Sequence, residues 1–298
     1  MNERNLVDLF LRQADCYRAK PLFRVKCGGS YEDVGWDSVY ESVVRIALRL
    51  HQFGIQKGDR VAILSENRPE WVFADLGILS LGAASVPIYP TASAKDVDYV
   101  LAHSEARLLF VSSAEQLSRL RSPADLFSRI GQVVVFDPVP KEDDRVVALK
   151  EWIQSVAFDD EASRRPYDSF VSQVSLDHLA TIIYTSGTTG PPKGVMLTHL
   201  NFLINCYDAR EALPLNESDV TLSFLPLSHV FERMAGYYLA LLVGATVAYA
   251  ENMNTVPENL VEVKPTMASA VPRFFEKMYA RVQAQIEEKG PLAKVIFK

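Results

Sequence analysis

The sequence predicts an α/β fold of doubly wound, mostly parallel sheets with helices on both faces. Three observations carry that expectation: short apolar runs alternate with helical periodicities, the connections are short, and no internal repeat or low-complexity tract interrupts them. Val39, Val43, Ile46, Ala47 and Leu50 recur at helical spacing, and Gly54 follows as a stop. RVAIL, at 60–64, reads as a short buried strand. In ENRPEW, Asn67 is placed to cap a helix, Pro69 suits its first turn, and Glu70 sits three residues after the cap. A strand at 84–88, a second capped helix from Ser93, and the strand LLFVSS follow. Strand, helix, strand, helix, strand with short links implies a right-handed parallel sheet.

Residues 137–176 carry more charge and less periodicity, with Pro138, Pro140 and the pair Arg164–Arg165. They are expected to be a charged excursion closing a first α/β subdomain over 1–176. A second, incomplete α/β subdomain is expected over 177–298. Its predicted elements are a helix at 199–213, the strand VTLSFLPLSH, a helix at 231–243, strands at 246–250 and 266–271, and the helix PRFFEKMYARVQAQIEEK. In that last helix Phe275, Met278, Val282 and Ile286 form one stripe before Gly290–Pro291.

Composition narrows the function. The 298 residues are 48% hydrophobic and 23% charged, an ordinary globular balance, with a formal net charge of −6. That charge disfavours a nucleic-acid partner, which wants a basic face, but leaves room for a small polyanion held by a few local groups. Cys16, Cys27 and Cys206 are widely spaced and form no Cys-x-x-Cys pair, so they are expected to be reduced and mostly buried, with neither a zinc site nor a disulfide framework. MNERNLVDLF lacks the apolar core of a secretory signal, which makes the cytoplasm the default compartment. The uncharged run 234–250 falls just short of the ~18–20 residues of a membrane span and reads better as a buried helix followed by a buried strand.

One stretch stands apart. TIIYTSGTTGPPKGVMLTH places Thr185, Ser186, Thr188, Thr189, three glycines and Lys193 between two apolar strands. Glycines let backbone amides crowd a ligand, hydroxyls add donors, and the lysine adds a point charge; together they suit a polyphosphate. The spacing G-x-x-x-x-G-K-[ST] is not met, which disfavours a P-loop kinase or GTPase.

The order TSGTTGPPKG resembles the signature loop of the AMP-forming adenylating superfamily: acyl-CoA synthetases, adenylation domains of peptide synthetases and firefly-type luciferases. The resemblance extends to GDRVAILSENRPEWVFADLGILSLGAASVPIYPT, LPLSHVFER and VPRFFEKMYARV, and is strongest to the long-chain fatty acid–CoA ligases. It implies that Thr185, Ser186, Gly187, Thr188, Thr189, Gly190 and Lys193 wrap the β- and γ-phosphates of ATP, with Lys193 offsetting charge. It implies further that Thr185 attends a Mg2+ ion and that His229 stands beside the acyl carboxylate and α-phosphate. Coenzyme A would be the co-substrate and a fatty acid the acid. Peripheral membrane contact is left open, as is adenylation of an aryl or amino acid, or a non-catalytic nucleotide-binding or scaffolding role.

Other residues have plainer readings. His199 reads as a helix-start residue, and Glu232 and Arg233 as an ion pair or surface groups. Arg273 and Phe274–Phe275 border either an acyl tunnel or a core stripe. The Tyr-Gly-x-Thr-Glu segment of the superfamily is not found in the sequence, nor are its ribose-binding aspartate and C-terminal lysine. The expectation is therefore an N-terminal fragment of such an enzyme, without the lid domain and without full activity of its own.

Overall fold

In the computed structural model, residues 2–120, 126–140, 143–158, 161–185 and 190–288 are described. The Asn5 side chain accepts the N–H groups of Val7 and Asp8 and so caps α1 (Leu6–Tyr17). A hairpin follows, β1 (Pro21–Cys27) and β2 (Ser30–Gly35). Its two-residue turn, Gly28–Gly29, takes φ of +56° and +94°, which glycine adopts without strain. Next come α2 (Trp36–Gln52), β3 (Arg60–Leu64), α3 (Pro69–Ser80), β4 (Ala84–Ile88), α4 (Ala94–Ser104), β5 (Leu108–Val111) and α5 (Ala114–Ser118). Ser93 caps α4 by accepting from the Asp96 N–H, as its position predicts.

The charged stretch is built into the fold. After β6 (Gln132–Val135) it supplies the edge strand β7 (Val146–Ala148), α6 (Leu149–Gln154) and α7 (Glu161–Ser172). Then come β8 (Leu179–Thr185), β9 (Lys193–Thr198), α8 (His199–Ala212) and β10 (Val220–Ser223). A seven-residue π-helix (Glu232–Tyr238) runs into α9 (Leu239–Val243), followed by β11 (Thr246–Tyr249), α10 (Val256–Val263) and α11 (Pro272–Glu288).

Two sheets result. One has the order β7-β6-β5-β3-β4-β8-β9, parallel except for the β8–β9 hairpin; the other is β10-β11-β1-β2, parallel except for β1–β2. Both sheets draw strands from either side of residue 176. Alternate residues of β3 face opposite cores: Val61 and Ile63 join Trp36, Trp71 and Val247 between the sheets, while Ala62 and Leu64 pack with Val97 and Leu101 of α4. Leu222 and Ala248 face a third cluster with Val256 and Phe274. The layers therefore run helix, sheet, helix, sheet, helix, and each parallel sheet is covered on both faces. No helix among the described residues is long and apolar enough to cross a membrane.

Several expectations need correction. VTLSFLPLSH is strand only as far as Ser223, and 266–271 gives a single bridge, Thr221 to Met267, rather than a strand. The α11 stripe is largely exposed at Phe275 and Val282; the core contact is made instead by the half-buried Phe274, tilted against the buried Phe224 with ring centroids 4.7 Å apart. Cys16 and Cys27 are exposed, and only Cys206 is buried.

Candidate active site

The hydroxyl- and glycine-rich loop springs from the β8–β9 hairpin. Thr185, the last residue of β8, lies directly across from Lys193, the first of β9, and both are exposed. Among the described residues neither side chain takes a hydrogen-bond or ion-pair partner, which leaves one hydroxyl and one ammonium free at the two ends of the loop. Gly190 takes φ of +132°, a conformation side chains rarely adopt. Gly194 is required for a different reason: a Cβ there would stand 2.7 Å from Ile182 and 3.3 Å from the Tyr184 ring across the hairpin. Ser186, Gly187, Thr188 and Thr189 lie outside the described residues.

An aromatic base holds this hairpin. The Tyr99 hydroxyl donates to the Pro192 carbonyl at 3.0 Å, the Tyr184 hydroxyl meets His103 Nδ1 at 2.8 Å, and Tyr99 stacks on His103. Burial pushes the Tyr184 hydroxyl above its usual range, so it keeps its proton. The loop is thus tied to α4 on the side where the parallel strands end, where α/β sheets bind ligands.

His229 lies in the segment leaving the C-terminal end of β10. Its N–H donates to the Pro226 carbonyl at 2.9 Å, and its exposed ring accepts the Phe231 N–H on Nδ1 at 3.2 Å. With Nδ1 committed as an acceptor, the neutral ring carries its proton on Nε2.

Glu232 and Arg233 do not form the expected pair. Both are buried, but Arg233 is engaged by other elements while the Glu232 carboxylate has no hydrogen-bond partner among the described residues. Arg233 sits with Asp75 of α3 in an ion pair with both side chains fully buried. Its guanidinium also donates to Ser85 of β4 and Thr181 of β8, each at 2.8 Å, and Tyr238 bridges back by donating to Asp75 at 2.6 Å. Burial raises the Asp75 carboxyl and Arg233 offsets part of that rise, while the pair holds the guanidinium proton. Because Arg233 N–H also donates to the His229 carbonyl at 3.1 Å, this cluster joins the His229 segment to β8, the strand that ends at Thr185.

Glu232 has no such neighbour. Neither carboxylate oxygen has a hydrogen-bond partner among the described residues; burial pushes the group up to about 8, and the nearby Ser223 hydroxyl offsets only part of that. The glycine at 236 follows from this packing, since a Cβ there would overlap the Glu232 carboxylate. His199 does start α8, buried, with Nδ1 accepting the Leu6 N–H at 3.2 Å; burial lowers it to about 3. Asn67 is not a cap: Arg68 holds that position without a side-chain bond, and the Asn67 amide reaches instead to Ser223, Leu225 and Leu227.

This fold and loop define an adenylate-forming enzyme domain. A family model described as AMP-binding enzyme matches residues 10–296, and the chain belongs to that family. It is 32% identical over 280 residues to long chain acyl-CoA synthetase 1 of Arabidopsis thaliana, covering 90% of this chain and 42% of the relative. It is 35% identical over 270 residues to the long-chain-fatty-acid–CoA ligase FadD15 of Mycobacterium bovis, covering 88% and 42%. The chain thus spans less than half the length of these curated relatives. In fold it resembles the N-terminal domain of FACL13 from Mycobacterium tuberculosis, with a TM-score of 0.77 at 24% identity, covering 92% of this chain and 65% of that one. It also resembles the anthranilate CoA ligase AuaEII in complex with anthranoyl-AMP, with a TM-score of 0.79 at 23% identity, covering 92% and 51%.

Proposed function

We propose that this chain carries the phosphate-binding part of an ATP-dependent long-chain fatty acid–CoA ligase. The observation that bears most weight is Thr185 facing Lys193 across the hairpin, both exposed and without a side-chain partner among the described residues, at the ends of TSGTTGPPKG. In this reading Thr185, Gly190 and Lys193, with Ser186, Gly187, Thr188 and Thr189 between them, hold the β- and γ-phosphates. His229, proton on Nε2, donates to an oxygen of the α-phosphate where charge develops. The fatty acid carboxylate oxygen then bonds to the α-phosphorus and pyrophosphate leaves. In the second step the sulfur of coenzyme A bonds to the acyl carbon, AMP departs and the thiol proton is lost.

Magnesium fits this donor set as an ion borne by the phosphates. Thr185 offers one neutral oxygen, and no cluster of three His, Cys, Asp or Glu among the described residues could cage a cation. When bound, such an ion supplies neutralisation of phosphate charge. The preference for a long-chain acid rests on the names of the relatives in sequence; the likeness to an aryl-acid ligase is one of fold.

Calorimetry of the 298-residue chain with unreactive sulfamoyl analogues of palmitoyl-, benzoyl- and aminoacyl-adenylate tests the reading without requiring turnover. Tightest binding of the palmitoyl analogue supports it. Tighter binding of the aryl or aminoacyl analogue overturns the choice of substrate, and binding of none overturns the nucleotide site.

A further inference from the structure

Asn67 uses both edges of its amide on one distant segment. Nδ2 donates to the Leu225 carbonyl at 2.6 Å and to Ser223 Oγ at 3.0 Å, while Oδ1 accepts the Leu227 N–H at 2.8 Å. The partners lie 156 to 160 residues away. Asn67 follows β3 of the seven-stranded sheet, and Ser223 ends β10 of the other, so one half-buried side chain joins the ends of strands from both sheets. The pattern fixes the amide orientation, because a flipped group would set NH2 against the Leu227 N–H. It also explains why the strand stops at Ser223: backbone groups of Leu225 and Leu227 are taken by a side chain.

His229 follows two residues later, and there is little slack between. Its N–H is held by Pro226, its ring by the Phe231 N–H, and its carbonyl by Arg233, which is pinned to Asp75, Ser85 and Thr181. We propose that Asn67 is a positioning residue: with the Arg233 cluster as the second anchor, it sets where the His229 imidazole stands relative to the strand ends that carry the phosphate loop. This rests on the reading of His229 as the residue at the α-phosphate. An alanine at 67 frees Leu225 and Leu227 and lets the His229 loop drift, and a shift of about 1 Å in a reacting site costs on the order of a hundredfold in rate.

The test uses the 298-residue chain with isotope-labelled histidine, in which His229→Gln assigns the His229 signals among five histidines. In Asn67→Ala, without ligand, the His229 ring signals are expected to shift and broaden while those of His51, His103, His178 and His199 stay in place. Unmoved His229 signals overturn the proposal. Should all five move because folding is impaired, Asn67→Asp, which keeps the acceptor for Leu227, is the deciding variant; a change confined to His229 supports the proposal and none overturns it. Calorimetry should give Asn67→Ala an affinity for Mg·ATP within about twofold of wild type, since the phosphate loop stands on another hairpin; a loss like that of Lys193→Ala contradicts a role confined to His229. Failure of the functional reading shows separately: Mg·ATP would then leave the wild-type His229 signals unchanged, while the ligand-free comparison still judges the clamp.

Discussion

Glu232 and His199 are two buried groups whose titration the fold resists in opposite directions. Glu232 is raised from 4.5 to about 8, so between those values the folded chain keeps a proton that the unfolded chain has lost. Its contribution is full below the lower value and falls as pH rises, at about 1.4 kcal/mol per pH unit. His199 is lowered from 6.5 to about 3, so below 6.5 the unfolded chain gains a proton that the folded chain refuses. Its contribution is full at neutral pH and falls with acid. Between 4.5 and 6.5 the two slopes cancel, which leaves the alkaline side to Glu232 alone. Denaturant unfolding of wild type and Glu232→Gln between pH 6.5 and 8 should show the wild type losing stability relative to the variant as pH rises; a constant difference contradicts the burial of an unpartnered carboxyl. His199 was legible as a helix start from its place after an apolar strand. Glu232 was not, because HVFER looks the same whether its acid faces water or a core.

The π-helix depends on what its side chains reach. Arg233 engages Asp75, Ser85 and Thr181 from three other elements, the nearest of them 52 residues away, a distance over which local periodicity carries no signal. Replacing one partner of a buried pair strands the other charge, at a cost of about 3–5 kcal/mol, whereas an apolar exchange of both is far milder. Asp75→Asn or Arg233→Met is therefore expected to lower unfolding free energy steeply, and the double variant Asp75→Leu/Arg233→Met to regain much of the loss. A double variant as unstable as the sum of the singles contradicts the pairing. At this scale the sequence showed the buried helix and strand of 234–250, the hairpin arms around the loop and the capped helix after Ser93. It misplaced the end of β10, because the hydrogen bonds that terminate the strand come from Asn67. The β1–β2 hairpin went unread although Gly28–Gly29 announced its turn.

Across the molecule, the parallel α/β character was legible because the central strands β3, β4, β5 and β11 are buried on both faces and so read as short apolar runs. Which sheet a strand joins was not. β1 and β2 pair with β10 and β11 from the far end of the chain, and β8 and β9 complete the sheet begun by β3, pairings that long-range packing decides. The loop proposed to hold phosphate belongs to the larger sheet and His229 to a segment leaving the smaller one, so the proposed function requires both to reach one ligand. The sequence offered Lys193 and His229 as site candidates but not Asn67 and Arg233, whose hydrogen bonds reach the segment around His229 from distant elements. The central claim is that the hairpin loop binds the polyphosphate of ATP, and isothermal titration of the 298-residue chain with Mg·ATP tests it most directly. Binding that weakens at least about tenfold in Lys193→Ala, with the fold intact by circular dichroism, is the expected result, since losing a charged hydrogen bond costs roughly 1.5–3 kcal/mol. Binding of equal strength in Lys193→Ala would contradict it.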